Sequence, residues 1–348
     1  MPALAAVELL GGLQAQAPNP PYYGLWTRLR DFQPAELSEL LVDRRVVRIA
    51  LMRATLHLVT AADCLAFRRL LQPVLDRAVA PGTPAGRDLA GLDLAEIADA
   101  GRALLEQEPR TMVDLGVLLG ERWPGRDPAM LTRAVRALVP LAQVPPRGLW
   151  GASGPPTCAS AEQWLGAPMH ETERAAAARH LVLRYLGAFG PALVRDAQAW
   201  SGLTGLREVF EQLRPQLCTF RDEQGRELFD LPDAPRPDPD TPAPVRYLPD
   251  FDNILIGYAD WTRIIDAEQR RRVFGVNGVV RGTVLADGTV RGMWRIARPR
   301  AGQPPAVQIE QLGPLTARDQ DELSAEGERL LAFADPTAPP GEVRFEPW

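Results

Sequence analysis

From Ala192 to Asp230 the spacing of apolar residues passes from a helical period to an alternating one. Val194, Ala197, Leu206, Val209, Phe210 and Leu213 give apolar faces to two short helices, predicted over Ala192–Trp200 and Leu203–Leu213 on either side of Ser201-Gly202. Two strands, Leu217–Arg221 and Arg226–Asp230, then flank Glu223-Gln224-Gly225, a hairpin signal. Helix, helix, hairpin is the layout of a winged helix, whose second helix can enter the DNA major groove.

The same order recurs upstream. Helices are predicted over Leu94–Glu106, Thr111–Arg122 and Asp127–Val139, ahead of a short Leu141–Trp150 segment broken by Pro145-Pro146. A third copy reads as helices over Pro34–Leu41 and Arg44–Leu51, then a strand over Arg53–Val59 in which Thr55, His57 and Val59 alternate with their neighbours. There is no fixed-period repeat, which disfavours a stacked solenoid. After Asp230 the segment Leu231–Pro244, crowded with proline and aspartate, reads as a stiff surface linker. Beyond it Val279–Leu285 and Thr289–Ile296 form a hairpin around Asp287-Gly288, Val307–Leu312 and Glu342–Phe345 add strands, and Leu323–Phe333 reads as a late helix. The pattern predicts an α+β chain of three tandem winged-helix units, at 1–90, 91–158 and 159–232, followed by a β-rich C-terminal domain at 245–348.

Composition removes several chemistries. All 39 basic residues are arginine, so neither a lysine Schiff base nor a phosphate loop with its lysine is available. Cys64, Cys158 and Cys218, with His57, His170 and His180, have no metal-ligand spacing, and we expect no metal and no cofactor. No apolar run reaches the roughly 20 residues of a membrane span and no signal-peptide pattern is visible. The sequence therefore reads as a soluble, cytoplasmic protein. The net charge of −5 is unevenly placed: Arg28–Arg77 holds nine Arg against six acids, and Asp260–Arg300 nine against four. The stretch Ala301–Trp348 reverses this, with three Arg against nine acids. Basic faces and an acidic back are compatible with a DNA partner.

Near the start, a helix over Leu4–Leu10 must end at Gly11-Gly12, and an extended, proline-bounded loop follows. In extended backbone, residues i and i+2 point to one side, so Gln14 and Gln16 are predicted to present two amides to one point. Gln14-Ala15-Gln16 resembles the glutamine, apolar, glutamine catalytic motif of the AlkZ/YcaQ-type DNA glycosylases. Arg53-Ala54-Thr55-Leu56-His57-Leu58-Val59 resembles that family's first wing. Leu248-Pro249-Asp250-Phe251-Asp252-Asn253 is similar to its next strong block, and Val279-Val280-Arg281-Gly282-Thr283 with Trp294-Arg295-Ile296 to its C-terminal hairpin. The chain departs from the pattern at Tyr258-Ala259-Asp260-Trp261-Thr262-Arg263, where many relatives carry histidine for Tyr258 and arginine for Trp261.

The resemblance implies a monomer that grips duplex DNA and hydrolyses the N-glycosidic bond of N7-alkylated purines, crosslinked ones included. Its settings would be base excision repair or genotoxin self-resistance. N7 alkylation makes the purine a cationic leaving group, so two amide carbonyls orienting a water suffice without a strong base. Gln14 and Gln16 are the expected catalytic pair. Arg45, Arg48, Arg53, His57, Arg263, Arg281, Arg291, Trp294 and Arg295 are the expected DNA contacts, with Trp150 and Trp294 as candidates for stacking on a lesion. The alternative is a non-catalytic winged-helix DNA-binding regulator in which the glutamines only hold a loop.

Overall fold

The computed structural model describes residues 1–238, 240–275, 278–297 and 304–346. It divides into two compact units, one of residues 1–25, 29–234 and 257–259, the other of 26–28, 235–256 and 260–348. The first unit repeats one order of elements three times: helix, short extended segment, helix, helix, hairpin.

In the first copy these are α1 (Ala3–Leu9), β1 (Leu13–Gln14), α2 (Pro20–Trp26), α3 (Pro34–Val42), β2 (Val46–Ala50) and β3 (Leu56–Thr60). The predicted helix over Arg44–Leu51 is therefore a strand. Arg44 sits in the left-handed region (φ 61°) and ends the helical path, and Val46, Val47 and Ile49 are β-branched residues that suit a pleated surface. Both faces of β2 are covered, so buried residues, Arg48 among them, follow one another along it without an alternation. Three short helices, α4 (Ala61–Phe67), α5 (Gln72–Asp76) and α6 (Pro84–Asp88), lead to the second copy.

That copy comprises α7 (Leu94–Gln107), β4 (Arg110–Thr111), α8 (Met112–Arg122), α9 (Pro128–Leu138), β5 (Leu141–Gln143) and β6 (Thr157–Ser160). Its helices start where side chains satisfy the first backbone N–H groups. Asp93 accepts from Ala95 and Glu96, Thr111 from Asp114, and Asp127 from Ala129 ahead of a proline in the first turn. After α10 (Ala161–Leu165), the third copy runs α11 (Arg174–Phe189), α12 (Val194–Ser201), α13 (Arg207–Leu213), β7 (Cys218–Arg221) and β8 (Glu227–Asp230). Its short extended segment is Ala192, bridged to Phe229.

The first two copies share one six-stranded sheet in the order β1-β3-β2-β5-β6-β4, closed where β2 meets β5 through Arg48↔Gln143 and Ile49↔Ala142. One core runs from Val47, Ile49 and Val59 on the first hairpin to Leu181, Tyr185 and Phe210 of the third copy. A separate core lies among α7, α8 and α9, around Ile97, Leu115 and Val135.

The second unit is a five-stranded sheet. Its strands are β9 (Arg246–Leu248), β10 (Thr283–Ala286), β11 (Thr289–Ala297), β12 (Ala306–Gln311) and β13 (Glu342–Glu346), ordered β13-β12-β11-β10-β9. Asp287 and Gly288, both at positive φ, make the tight turn of the β10–β11 hairpin. Helices α14 (Asn253–Ile256) and α15 (Ala267–Val273) precede the hairpin, and α16 (Ala317–Ala334) precedes β13. Gly327 of α16 lies so close to the sheet that a Cβ there would be 2.7 Å from the Tyr247 hydroxyl. Among the described residues no helix is long and apolar enough to cross a membrane.

Candidate active site

The segment Gln14-Ala15-Gln16 is held from both sides. Gly11 and Gly12 leave α1 at φ 62° and 90°, and a Cβ on Gly12 would lie 2.5 Å from the Val59 side chain. Glycine therefore lets the chain turn directly onto β3. Leu13 pairs with Leu58 and Gln14 with His57, and the Ala15 N–H donates to the Leu56 carbonyl at 2.7 Å. From the opposite side Arg48 Nη2 donates to the Ala15 carbonyl at 2.8 Å.

The two amides have different settings. Gln14 is 7% exposed, and its carbonyl oxygen accepts from Arg53 Nη2 at 2.8 Å. Gln16 is exposed, its carbonyl oxygen accepting from the Leu56 N–H at 2.9 Å. Each oxygen is fixed by its own donor, and each keeps a second lone pair.

Arg53 is placed by an unusual turn. It and Ala54 both lie in the left-handed region, at φ 54° and 57°, where non-glycine residues are strained. Gly202 packs against this turn: a Cβ there would approach the Arg53 Cα to 3.3 Å. The guanidinium also donates to the Trp200 carbonyl and stands 3.4 Å from His57 Nε2. His57 Nδ1 is 2.9 Å from the Thr55 carbonyl, which can only accept, so Nδ1 carries the proton. Burial, then the Arg53 charge, push the His57 pKa down to about 3. The imidazole is neutral at physiological pH and is a structural partner of Arg53, not an acid.

Gln16 opens onto a cleft of about 300 Å³ whose walls include Ile49, Leu56, Met112, Val139 and Leu141, with Arg68, Arg136 and Arg147 among the lining side chains. A second cleft of about 400 Å³ also touches Ala50 and Arg136, and adds Arg133. Sequence reasoning missed Arg133 and Arg136. Their spacing of three on a helix with an apolar opposite face reads as an ordinary solvated side, and only the neighbouring hairpin distinguishes it.

The family model for DNA glycosylase AlkZ-like proteins matches residues 7–333. The chain belongs to the AlkZ-like DNA glycosylase family. An interstrand DNA cross-link repair glycosylase of Streptomyces sahachiroi is 30% identical over 154 residues, which are 42% of this chain and 41% of that protein. The chain thus aligns with about two fifths of this relative's length. The solved structure of the Streptomyces sahachiroi DNA glycosylase AlkZ matches with a TM-score of 0.81 at 20% identity, covering 99% of this chain and 94% of that one. The fold is thus the AlkZ fold.

The expected DNA contacts of this AlkZ-like chain fall into distinct settings. Arg48 is 1% exposed, with its pKa lowered to about 10, chiefly by burial. It supports the Ala15 carbonyl and is not placed to meet a phosphate. His57, 2% exposed, is likewise inside. These two corrections share one cause: the sheet is covered on both faces here, with Arg48 on the face of Leu58 and His57 on the opposite face beside Ile49 and Gln14. Arg45 is exposed but shares a shallow pocket with Glu8, Glu36, Glu39 and Asp43. In the second unit Arg263 and Arg281 are exposed and Arg291 is half-buried. Arg295 donates to Gln308 at 2.8 Å. Both candidate stacking residues are half-buried and have partners of their own. Trp294 donates to the Leu248 carbonyl at 2.7 Å and meets Tyr247 edge-on, while Trp150 packs against Tyr22 and Tyr23. At the departure from the family pattern, the Tyr258 hydroxyl donates to the Phe189 carbonyl at 3.0 Å, and the Arg270 guanidinium stacks 3.3 Å over the Trp261 ring. Among the described residues no group of three or more His, Cys, Asp or Glu is arranged to hold a metal ion.

Proposed function

We propose that the protein is a DNA glycosylase that hydrolyses the N-glycosidic bond of N7-alkylated purines in duplex DNA, unhooking crosslinked ones among them. Gln14 and Gln16 are its catalytic pair. It works as a monomer in the cytoplasm, with Arg263, Arg281, Arg291 and Arg295 among its DNA contacts.

The observation that carries this reading is the exposed, backbone-fixed amide of Gln16 at the mouth of an arginine-lined cleft in an AlkZ-like chain. Cleavage of the bond to a cationic base develops positive charge on the sugar. A preorganised carbonyl oxygen puts its negative dipole end near that charge and orients a water, without acting as a base. Gln14, clamped by Arg53, holds the strand that positions Gln16 and offers its second lone pair to the same water. Since the chain has no lysine, no enzyme lysine forms a Schiff base, and the product is an abasic site.

The near-complete burial of Gln14 favours a second reading, the non-catalytic DNA-binding regulator. Single-turnover base release from a duplex carrying one N7-methylguanine decides between them, run for the wild type beside a Gln14→Ala, Gln16→Ala double variant. Abasic sites well above the spontaneous rate in the wild type, lost in a variant that still binds DNA, support the glycosylase. No release from this duplex or from a crosslinked one leaves the regulator.

A further inference from the structure

The cleft at Gln16 and the one adjoining it differ from the pocket around Arg45 in what they exclude. The chain has 44 acidic residues and a net charge of −5, yet neither cleft has an Asp or Glu in its lining. The pocket around Arg45, by contrast, brings together Glu8, Glu36, Glu39 and Asp43. Arg136 lines both clefts, with Arg133 one turn away on α9. Both are exposed, and neither makes a hydrogen bond or ion pair with any described residue. Arg68 at the first cleft is 1% exposed, and its Nε has no hydrogen-bond partner among the described residues. The first cleft has Arg68, Arg136 and Arg147 in its wall, and the second, which shares Ala50 and Arg136 with it, lies along α9, the third helix of the second winged helix.

We propose that the two clefts form one anion track that grips consecutive phosphates of the duplex strand running past Gln16, with Arg136 and Arg133 as the phosphate contacts. This rests on the DNA-binding part of the reading above. Neither lining has an aromatic side chain on which a base could stack, and unpaired guanidiniums on a helix face are suited to phosphate oxygens. The contacts are therefore independent of base sequence.

The test measures binding of an undamaged duplex by fluorescence anisotropy between 50 and 200 mM salt. It compares the wild type with Arg133→Gln/Arg136→Gln, Arg133→Lys/Arg136→Lys and a control, Arg318→Gln/Arg344→Gln, which removes two exposed, ion-paired arginines of the second unit. Each lost phosphate contact lowers the slope of log K against log salt by about 0.9, so the glutamine pair is expected to flatten it by about 2. Over the fourfold salt range the wild type then loses about tenfold more affinity than the variant. The lysine pair and the control keep the wild-type slope.

An unaltered slope in the glutamine pair overturns the proposal, as does loss of its thermal unfolding transition, which would mean that these arginines hold the fold. A flattened slope together with no base release by the wild type retains the track and removes the glycosylase.

Discussion

The first and second winged helices fill the same slot with different consequences. In each, a two-residue strand enters behind the first helix and pairs with the hairpin, β1 with β3 and β4 with β6. In the second copy the strand runs directly into α8, and Thr111 caps that helix. Arg110 turns back to the Leu104 carbonyl and to Glu108, so both side chains serve their own copy. In the first copy α2 does not begin until Pro20. Residues 15–19 lie between strand and helix, and Gln16 falls in that interval. The third copy follows the second, with α12 starting at Val194, two residues after the bridged Ala192. The position proposed as reactive thus arises from a delay in starting the next helix, an interval that the second and third copies lack.

The comparison breaks most severely at Gly12. Gly12→Ala places a Cβ against Val59 at a φ of 90°, and is expected to cost about 3 kcal/mol in urea unfolding, by strain and overpacking together. A change within experimental error would show that β1 tolerates another approach to β3. A smaller effect is read from pH. His57 has a folded pKa of about 3 against an ordinary value of 6.5, so below 6.5 the unfolded chain binds the proton and the folded chain does not. Stability is full above that value and falls with acidification by up to about 1.4 kcal/mol per pH unit until the folded pKa is reached. Between pH 6.5 and 5 this amounts to about 2 kcal/mol, and His57→Gln should flatten the slope in thermal unfolding. An unchanged slope would place the titration elsewhere. The smallest effect belongs to the second copy. Thr111→Ala removes the cap of α8 and should cost about 1 kcal/mol while leaving base release at its wild-type rate. A fall in that rate would join the second slot to the chemistry.

Much of this was legible in the sequence, because the helices of the second and third copies and the β10–β11 hairpin have clear periods and turn residues. The helix predicted over Arg44–Leu51 failed because β2 is covered on both faces, and four successive buried residues carry no period that separates strand from helix. The two-residue strands left no periodic trace at all. At the site, the glutamines were visible as residues but their unequal burial was not. It depends on Arg53, which reaches Gln14 only because two successive non-glycine residues adopt the left-handed conformation, and sequence gives no warning of that. Arg133 and Arg136 looked like an ordinary wet helix face until the hairpin carrying Ala50 and Leu56 was set beside them.

The pairing of β2 with β5 also constrains how the chain is made. Val46–Ala50 finds its second neighbour only in Leu141–Gln143, more than ninety residues later. While the chain emerges from the ribosome at about 5–20 residues per second, the first hairpin waits several seconds with one edge open. An open apolar edge invites pairing with another nascent chain. Arg48 sits in the middle of that edge, and a charge there keeps the waiting strand from adding a stranger before its own partner arrives.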